Sequence, residues 1–435
     1  MKRSMTTMLA LSLLVLGMTL GNPVMADLVI PLLSFRTGPY APNGIPYADG
    51  ITDYLNLLNE RDGGVGGERI EIVECETAYN TQQGVECYEN TKGKGALVYF
   101  PLSTGISYQL IPKTTADGIP LHTMGYGRTS AANGNVFTHV FNFPGTYWDA
   151  ASILIKYIGD GEGGMDNLSN KTIALIHHNS PYGKEPIRTL ENLSAKHGFT
   201  FKTFPVDHPG QEQKSTWLQV RRNPPDYILL WGWGVMNQVA IKEAASIRFP
   251  MDKFIGVWWS SDEGDVLPAG LGADGYKAIT FTGTNPDYPV YEDLDHYIFK
   301  AGKAAGDGSR VGTNLYNRGI LQGLFLTEAI KTAQALHGVT RITPAMMRDG
   351  LENLEMTEEK YIAAGLPGFS VPFKVTCENH AAPGLGAIQQ WDAKKKQWKL
   401  VSGFIASDRE IVDPLIMEDS MAYGAEAGIP TDSCK

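Results

Sequence analysis

Leu28-Val29-Ile30-Pro31-Leu32-Leu33 is apolar throughout and offers no polar face to water. A strand of that kind must be covered on both sides, as in a parallel sheet flanked by helices. Similar short runs recur at Ile70–Val73, Ala96–Phe100, Thr172–Ile176, Thr200–Phe204, Tyr227–Trp231, Phe254–Trp258 and Ala278–Phe281. Helical patterns separate most of them, at Tyr47–Asn59, Thr146–Ile158, Ile187–His197 and Met236–Ile247. Strands alternating with helices of this length predict an α/β fold of doubly wound parallel sheets.

The chain opens with Lys2 and Arg3, an apolar run from about Met8 to Leu20, and the small-residue junction Val24-Met25-Ala26. That order predicts a secretory signal peptide over residues 1–26, cleaved before Asp27. The run is short for a bilayer span, and no cysteine at the junction offers a lipid anchor. Removing Lys2 and Arg3 from 37 Lys+Arg leaves 35 against 47 Asp+Glu, a net charge of −12. A surface so acidic argues against nucleic acid and anionic membranes as partners. About 400 mature residues exceed one hydrophobic core and predict two domains. Four cysteines suit an oxidising compartment, and their spacing leaves three pairings open.

Gly63-Gly64-Val65-Gly66-Gly67-Glu68-Arg69-Ile70-Glu71-Ile72 joins a glycine turn to the second strand. This segment resembles the corresponding one of the branched-chain amino-acid-binding proteins, the Leu/Ile/Val receptors of ATP-driven importers. The resemblance extends, as an order of loose motifs, over nearly the whole mature chain. It implies the type I periplasmic binding fold, two α/β lobes joined by a three-segment hinge that close on a small-molecule ligand. It also implies an inner-membrane ABC permease complex as partner, a monomer, no cofactor and no enzymatic step.

On that basis residues 27–141 and 284–372 are expected in lobe 1, residues 142–283 and 373–405 in lobe 2, and residues 406–435 in a C-terminal extension. Phe137–Asn142, Phe281–Pro286 and Phe369–Thr376 are the expected crossings. Ala387–Trp391 and Gln397–Val401 read as a closing hairpin. The expected disulfides are Cys75–Cys87, in a region the family often bridges, and Cys377–Cys434, tying the tail to the body.

Ligands of such folds sit at the carboxyl ends of strands, near helix N-termini. Phe100-Pro101-Leu102-Ser103-Thr104-Gly105 matches the family's serine-rich loop, which makes Ser103 and Thr104 carboxylate-binding candidates. Either would equally cap the following helix. Pro101 and Leu102 depart from the small polar residues of amino-acid receptors. Met124-Gly125-Tyr126-Gly127-Arg128 adds Tyr126 and Arg128, the latter suited to a carboxylate or to a solvated loop. Ser180-Pro181-Tyr182-Gly183 resembles the family's aromatic-Gly loop and nominates Tyr182. Trp231-Gly232-Trp233 and Trp258-Trp259-Ser260-Ser261-Asp262-Glu263-Gly264 end two more strands. They nominate Trp231, Trp233 and Trp259 as aromatic walls and Glu263 as the partner of an α-ammonium; packing and a surface turn are the plain alternatives.

Catalytic motifs are absent. Gly159-Asp160-Gly161-Glu162-Gly163-Gly164 follows a helix and carries acidic residues that would repel a pyrophosphate. His177 and His178 are neighbours on a strand and point to opposite faces, so they cannot easily share a metal ion. The expected function is the periplasmic binding subunit of an ABC importer for an amino acid or an aromatic or aliphatic carboxylate. A soluble sensor of the same fold is the alternative.

Overall fold

The computed structural model describes residues 28–285 and 287–434. The expected signal peptide therefore lies outside the described residues. Two sheets organise the chain. In the first, β1 (Leu28–Ser34) pairs in parallel with β2 (Ile70–Glu76), and every residue of β1 is buried, as its apolar run requires. Residues 96–99 extend this sheet through bridges from Val29 to Ala96 and from Tyr99 to Leu121. Beyond them β3 (Leu121–His122) runs parallel to β4 (Val140–Phe141).

The second sheet contains β5 (Thr172–His178), β6 (Thr200–Val206), β7 (Tyr227–Trp231), β8 (Phe254–Gly256) and β9 (Lys277–Thr280), all parallel. Between the sheets' strand runs in sequence, β10 (Glu355–Met356) pairs antiparallel with β11 (Phe373–Lys374). The second sheet is closed by antiparallel β12 (Leu385–Asp392), flanked by β13 (Gln397–Leu400) and β14 (Ile405–Ala406). Its order is β13-β12-β9-β8-β7-β5-β6. The chain thus forms two α/β lobes, with the hairpin where its alternation placed it. Residues 373–380 stay with the first sheet: Asn379 bridges Asn133, and the His380 ring stacks on Phe141 at 4.2 Å. The passage to the second sheet therefore comes after His380 rather than at residue 373.

Two helices of the first lobe matter for the site. The Ala41–Arg61 and Asn314–His337 helices cross where Gly50 faces Gly319. A Cβ on Gly50 would lie 2.1 Å from the Tyr316 carbonyl oxygen, and one on Gly319 2.4 Å from that of Tyr47, so only glycine permits this approach. The crossing sets Tyr47 and Arg318 side by side beneath the cleft between the lobes.

Both disulfides are Cys75–Cys87 and Cys377–Cys434. The tail forms the Arg409–Ala427 helix, which is tied to both lobes. Lys196 pairs with Asp408 and Arg188 with Glu418 on the second lobe's side. On the first lobe's side, Arg128 pairs with Asp419 and Phe137 stacks on Tyr423 at 4.8 Å.

Candidate functional site

A narrow, partly open cavity lies between the lobes. The first lobe contributes Tyr47, Tyr79, Leu102, Ser103, Thr104 and Tyr126. Tyr79 follows β2, Leu102 to Thr104 follow the strand-like residues 96–99, and Tyr126 follows β3. The second lobe contributes Tyr147, Tyr182, Trp233 and Trp259. Tyr182, Trp233 and Trp259 follow the carboxyl ends of β5, β7 and β8, where a doubly wound sheet exposes its loops. Tyr147 starts the Tyr147–Gly161 helix, set by a capping box between Thr146 and Asp149.

The rings meet across the cleft. Trp233 stands edge-on to Phe35 at 5.8 Å and to Trp259 at 5.7 Å, while Tyr47 and Tyr126 flank Trp259 at 6.0 and 6.1 Å. Trp258 and Trp259 both donate through Nε1 to the Gly125 carbonyl, at 2.7 and 3.2 Å, joining the β8 end to the β3 loop. Tyr79 and Leu102 adopt left-handed backbone, with φ of 61° and 50°. That conformation is costly for residues with a Cβ, and here the fold holds both against the cavity. The Leu102 amide donates to Tyr126 Oη at 3.0 Å, fixing the loop to the ring.

Polar groups at the wall are few. Ser103 Oγ accepts from the Ile106 amide at 3.3 Å and so caps the Thr104–Asp117 helix, whose first turn opens on the cavity. Its positive dipole end favours an anionic group there. Thr104 Oγ1 accepts from the Gly127 amide at 3.1 Å. Tyr182 donates to the Gly232 carbonyl at 2.9 Å. Burial pushes the Tyr47, Tyr147 and Tyr182 phenols well above their ordinary value, so they stay neutral. Trp233 Nε1, buried with its ring, has no partner among the described residues. None of the ten lining residues carries a formal charge.

The structure thus brings together Ser103, Thr104, Tyr126, Tyr182, Trp233 and Trp259. Three other candidates are placed elsewhere. Arg128 donates to Asp419 Oδ1 at 2.5 Å and to Ser130 Oγ at 2.9 Å, with its guanidinium 4.6 Å over the Tyr423 ring. It lines a separate groove with Tyr108, Trp148, Lys184 and Glu185. In that groove Tyr108 hydrogen-bonds Glu185, whose carboxyl is pushed up to about 7 by burial. Trp231 is fully buried in β7, its ring 6.3 Å from Tyr147. Glu263 accepts from the Asn314 amide at 2.9 Å and lines another groove with Lys396 and Trp398. Sequence reasoning did not nominate Tyr47, Tyr79, Leu102 or Tyr147. The strand-end rule that gave Tyr182 would also have given Tyr79.

A model of the periplasmic binding protein family matches residues 27–397. The chain belongs to that family. Leu/Ile/Val-binding protein homolog 3 of Brucella melitensis is 24% identical over 192 residues, 44% of this chain and 50% of that protein. The chain thus spans about half the length of the curated relatives it matches. A solved chain from the Pseudomonas fluorescens group, described as an ABC transporter permease, is 38% identical with a TM-score of 0.84, covering 93% of this chain and 98% of that one. A branched-chain amino acid ABC transporter from Thermus thermophilus, solved with bound valine, shares the fold at a TM-score of 0.75 and 18% identity, covering 90% and 99%. Among the described residues no helix is long and apolar enough to cross a membrane.

Proposed function

We propose that this family member is the substrate-binding subunit of an ABC importer, exported by cleavage of residues 1–26. It captures a small organic acid with an apolar, ring-sized body between its lobes and presents it to an inner-membrane permease. The subunit makes and breaks no bond. Closure around the solute is its work, and the solute favours the closed form through contacts to both lobes.

One observation carries the choice of solute: the cavity wall is seven aromatic rings, one leucine and two hydroxyl side chains, with no carboxylate. An α-amino acid would bury its ammonium without a counter-charge, at a cost that burial makes large. Glu263, the residue expected to supply that charge, is engaged by the Asn314 amide instead. A carboxylate, by contrast, meets the Ser103 and Thr104 hydroxyls and the start of the Thr104–Asp117 helix.

A thermal-shift screen of ring-bearing acids, aliphatic acids, amides and α-amino acids tests this reading. Acids at about 100 times their dissociation constant should stabilise by about 2.7 kcal/mol. Stabilisation by α-amino acids alone would overturn it.

A further inference from the structure

Arg318 has no accessible surface, yet it forms no ion pair among the described residues. Its Nη2 donates to Ser261 Oγ at 3.2 Å, whereas Nε and Nη1 have no partner. The guanidinium lies 5.1 Å over the Trp259 ring and 5.2 Å over that of Phe281. Burying a cation without an ion-pair partner is strongly unfavourable.

The acidic side chains nearby, Asp262 first among them, lend it their field but make their hydrogen bonds elsewhere. Asp262 is taken by Arg310 and by the Leu315 amide at 3.0 Å. Asp265 accepts from the Asp262 amide at 3.1 Å and from Asn43 at 3.3 Å. Burial, and then the Asp262 charge, hold the Glu263 and Asp265 carboxyls up toward their neutral forms. Burial lowers Arg318 only to about 10, which leaves it cationic at neutral pH. Arg318 therefore keeps a positive charge one ring deeper than the cavity wall, behind Trp259 and beside Tyr47.

We propose that Arg318 is a positioning residue that makes the cavity select an anionic solute over its neutral and cationic analogues. The proposal rests on the reading that the solute sits in the aromatic cavity. Such a cage alone would also suit a quaternary ammonium, since ring faces attract cations. The guanidinium reverses that preference. It already occupies the cation–π position on Trp259, and its field crosses the indole into the cavity. A solute in van der Waals contact with the far side of that ring would hold its charge roughly 8 Å from the guanidinium. At an effective dielectric of about 20, one unit charge at that distance changes affinity about thirtyfold.

The test is calorimetric titration with 3-phenylpropanoate, isovalerate, their amides and choline. It uses the wild type, Arg318→Gln, Arg318→Met, Arg318→Lys and Trp233→Ala, each checked by its melting transition. The wild type should bind an acid at least about thirtyfold tighter than its amide and should not bind choline. The acid-to-amide ratio should fall about thirtyfold in the Gln and Met variants and persist in the Lys variant, whereas a merely structural role would weaken acid and amide alike. An unchanged ratio in a folded neutral variant, equal binding of acid and amide by the wild type, choline binding, or no acid binding at all each overturns the proposal. Should neither neutral variant fold, loss of the ratio in the Lys variant overturns it. If Trp233→Ala abolishes binding while the ratio survives in Arg318→Gln, only the role of Arg318 fails. Should Trp233→Ala bind like the wild type, the cavity reading itself fails.

Discussion

Tyr40 joins the two lobes at the edge of the cleft, and its hydroxyl is the point to perturb. It precedes the Ala41–Arg61 helix of the first lobe, and its Oη lies 2.9 Å from His178 Nε2 and 2.8 Å from His208 Nδ1 of the second. The Val235 amide donates to the Pro39 carbonyl at 3.1 Å beside it, again from lobe to lobe. A hydroxyl can donate to one neutral imidazole while accepting from the other, so both bonds are satisfied. Tyr40→Phe keeps the ring against Tyr79, 4.4 Å away, and deletes only that oxygen. Losing the bonds and leaving a buried imidazole nitrogen unpaired costs about 1–3 kcal/mol in the closed form. Affinity should therefore fall about 5- to 150-fold.

Acid should act on the same contact. Burial first, and then the charges of His208 and His177, push His178 down to about 3; His208 is lowered by burial, with Asp207 opposing, and Lys184 adds its charge near His177. The closed form thus keeps His178 neutral, while opening takes Tyr40 away from it and lets it rise toward its ordinary value near 6.5. Closure is fully favoured above about 6.5 and loses ground as pH falls from there toward about 3, by at most about tenfold per pH unit for one proton. The check is calorimetric affinity for a carboxylate that stays ionised between pH 7.5 and 5.5, with a loss of up to about tenfold expected for the wild type. A Tyr40→Phe protein within twofold of the wild type at pH 7.5, or an affinity flat over that range, would refute the reasoning.

Trp233→Ala and Tyr182→Ala should each cost at least about 2 kcal/mol of binding, about thirtyfold, in calorimetric titration with the fold intact by circular dichroism. Glu263→Gln should leave affinity for an organic acid within about twofold, because its carboxyl serves the Asn314 amide and not the cavity; a large loss by the same titration would restore it as a ligand residue. Cys434→Ser opens the Cys377–Cys434 loop, whose ends are 57 residues apart in sequence, and should lower stability by about 4 kcal/mol in chemical denaturation.

The sheet architecture was legible because β1 and β7 are apolar on both faces, which only a helix-covered strand tolerates. The helix expected from Tyr47 begins earlier, at Ala41. Gly44 and Pro46 are poor helix formers, yet Gly44 lies against Phe35, where a Cβ would meet the carbonyl oxygen at 2.2 Å. Tertiary packing there outweighs local propensity. The same holds for the tail, where Pro414 and Gly424 obscure a 19-residue helix held by ion pairs to both lobes.

At the site, Tyr182, Trp233 and Trp259 could be read because each ends a strand. Arg128 and Glu263 could not, since the partners that turn them away, Asp419 and Asn314, stand 291 and 51 residues off in sequence. Tyr47 and Arg318 carry no local signal either, because their position depends on the contact between Gly50 and Gly319.

The central claim is that the aromatic cavity takes an organic acid without an ammonium group. Titrating the protein with 3-phenylpropanoate and with phenylalanine, which differ by the α-amine alone, tests it most directly. An acid bound at least about a hundredfold more tightly than the amino acid is the expected result. Phenylalanine bound as tightly as the acid, or more tightly, would contradict it.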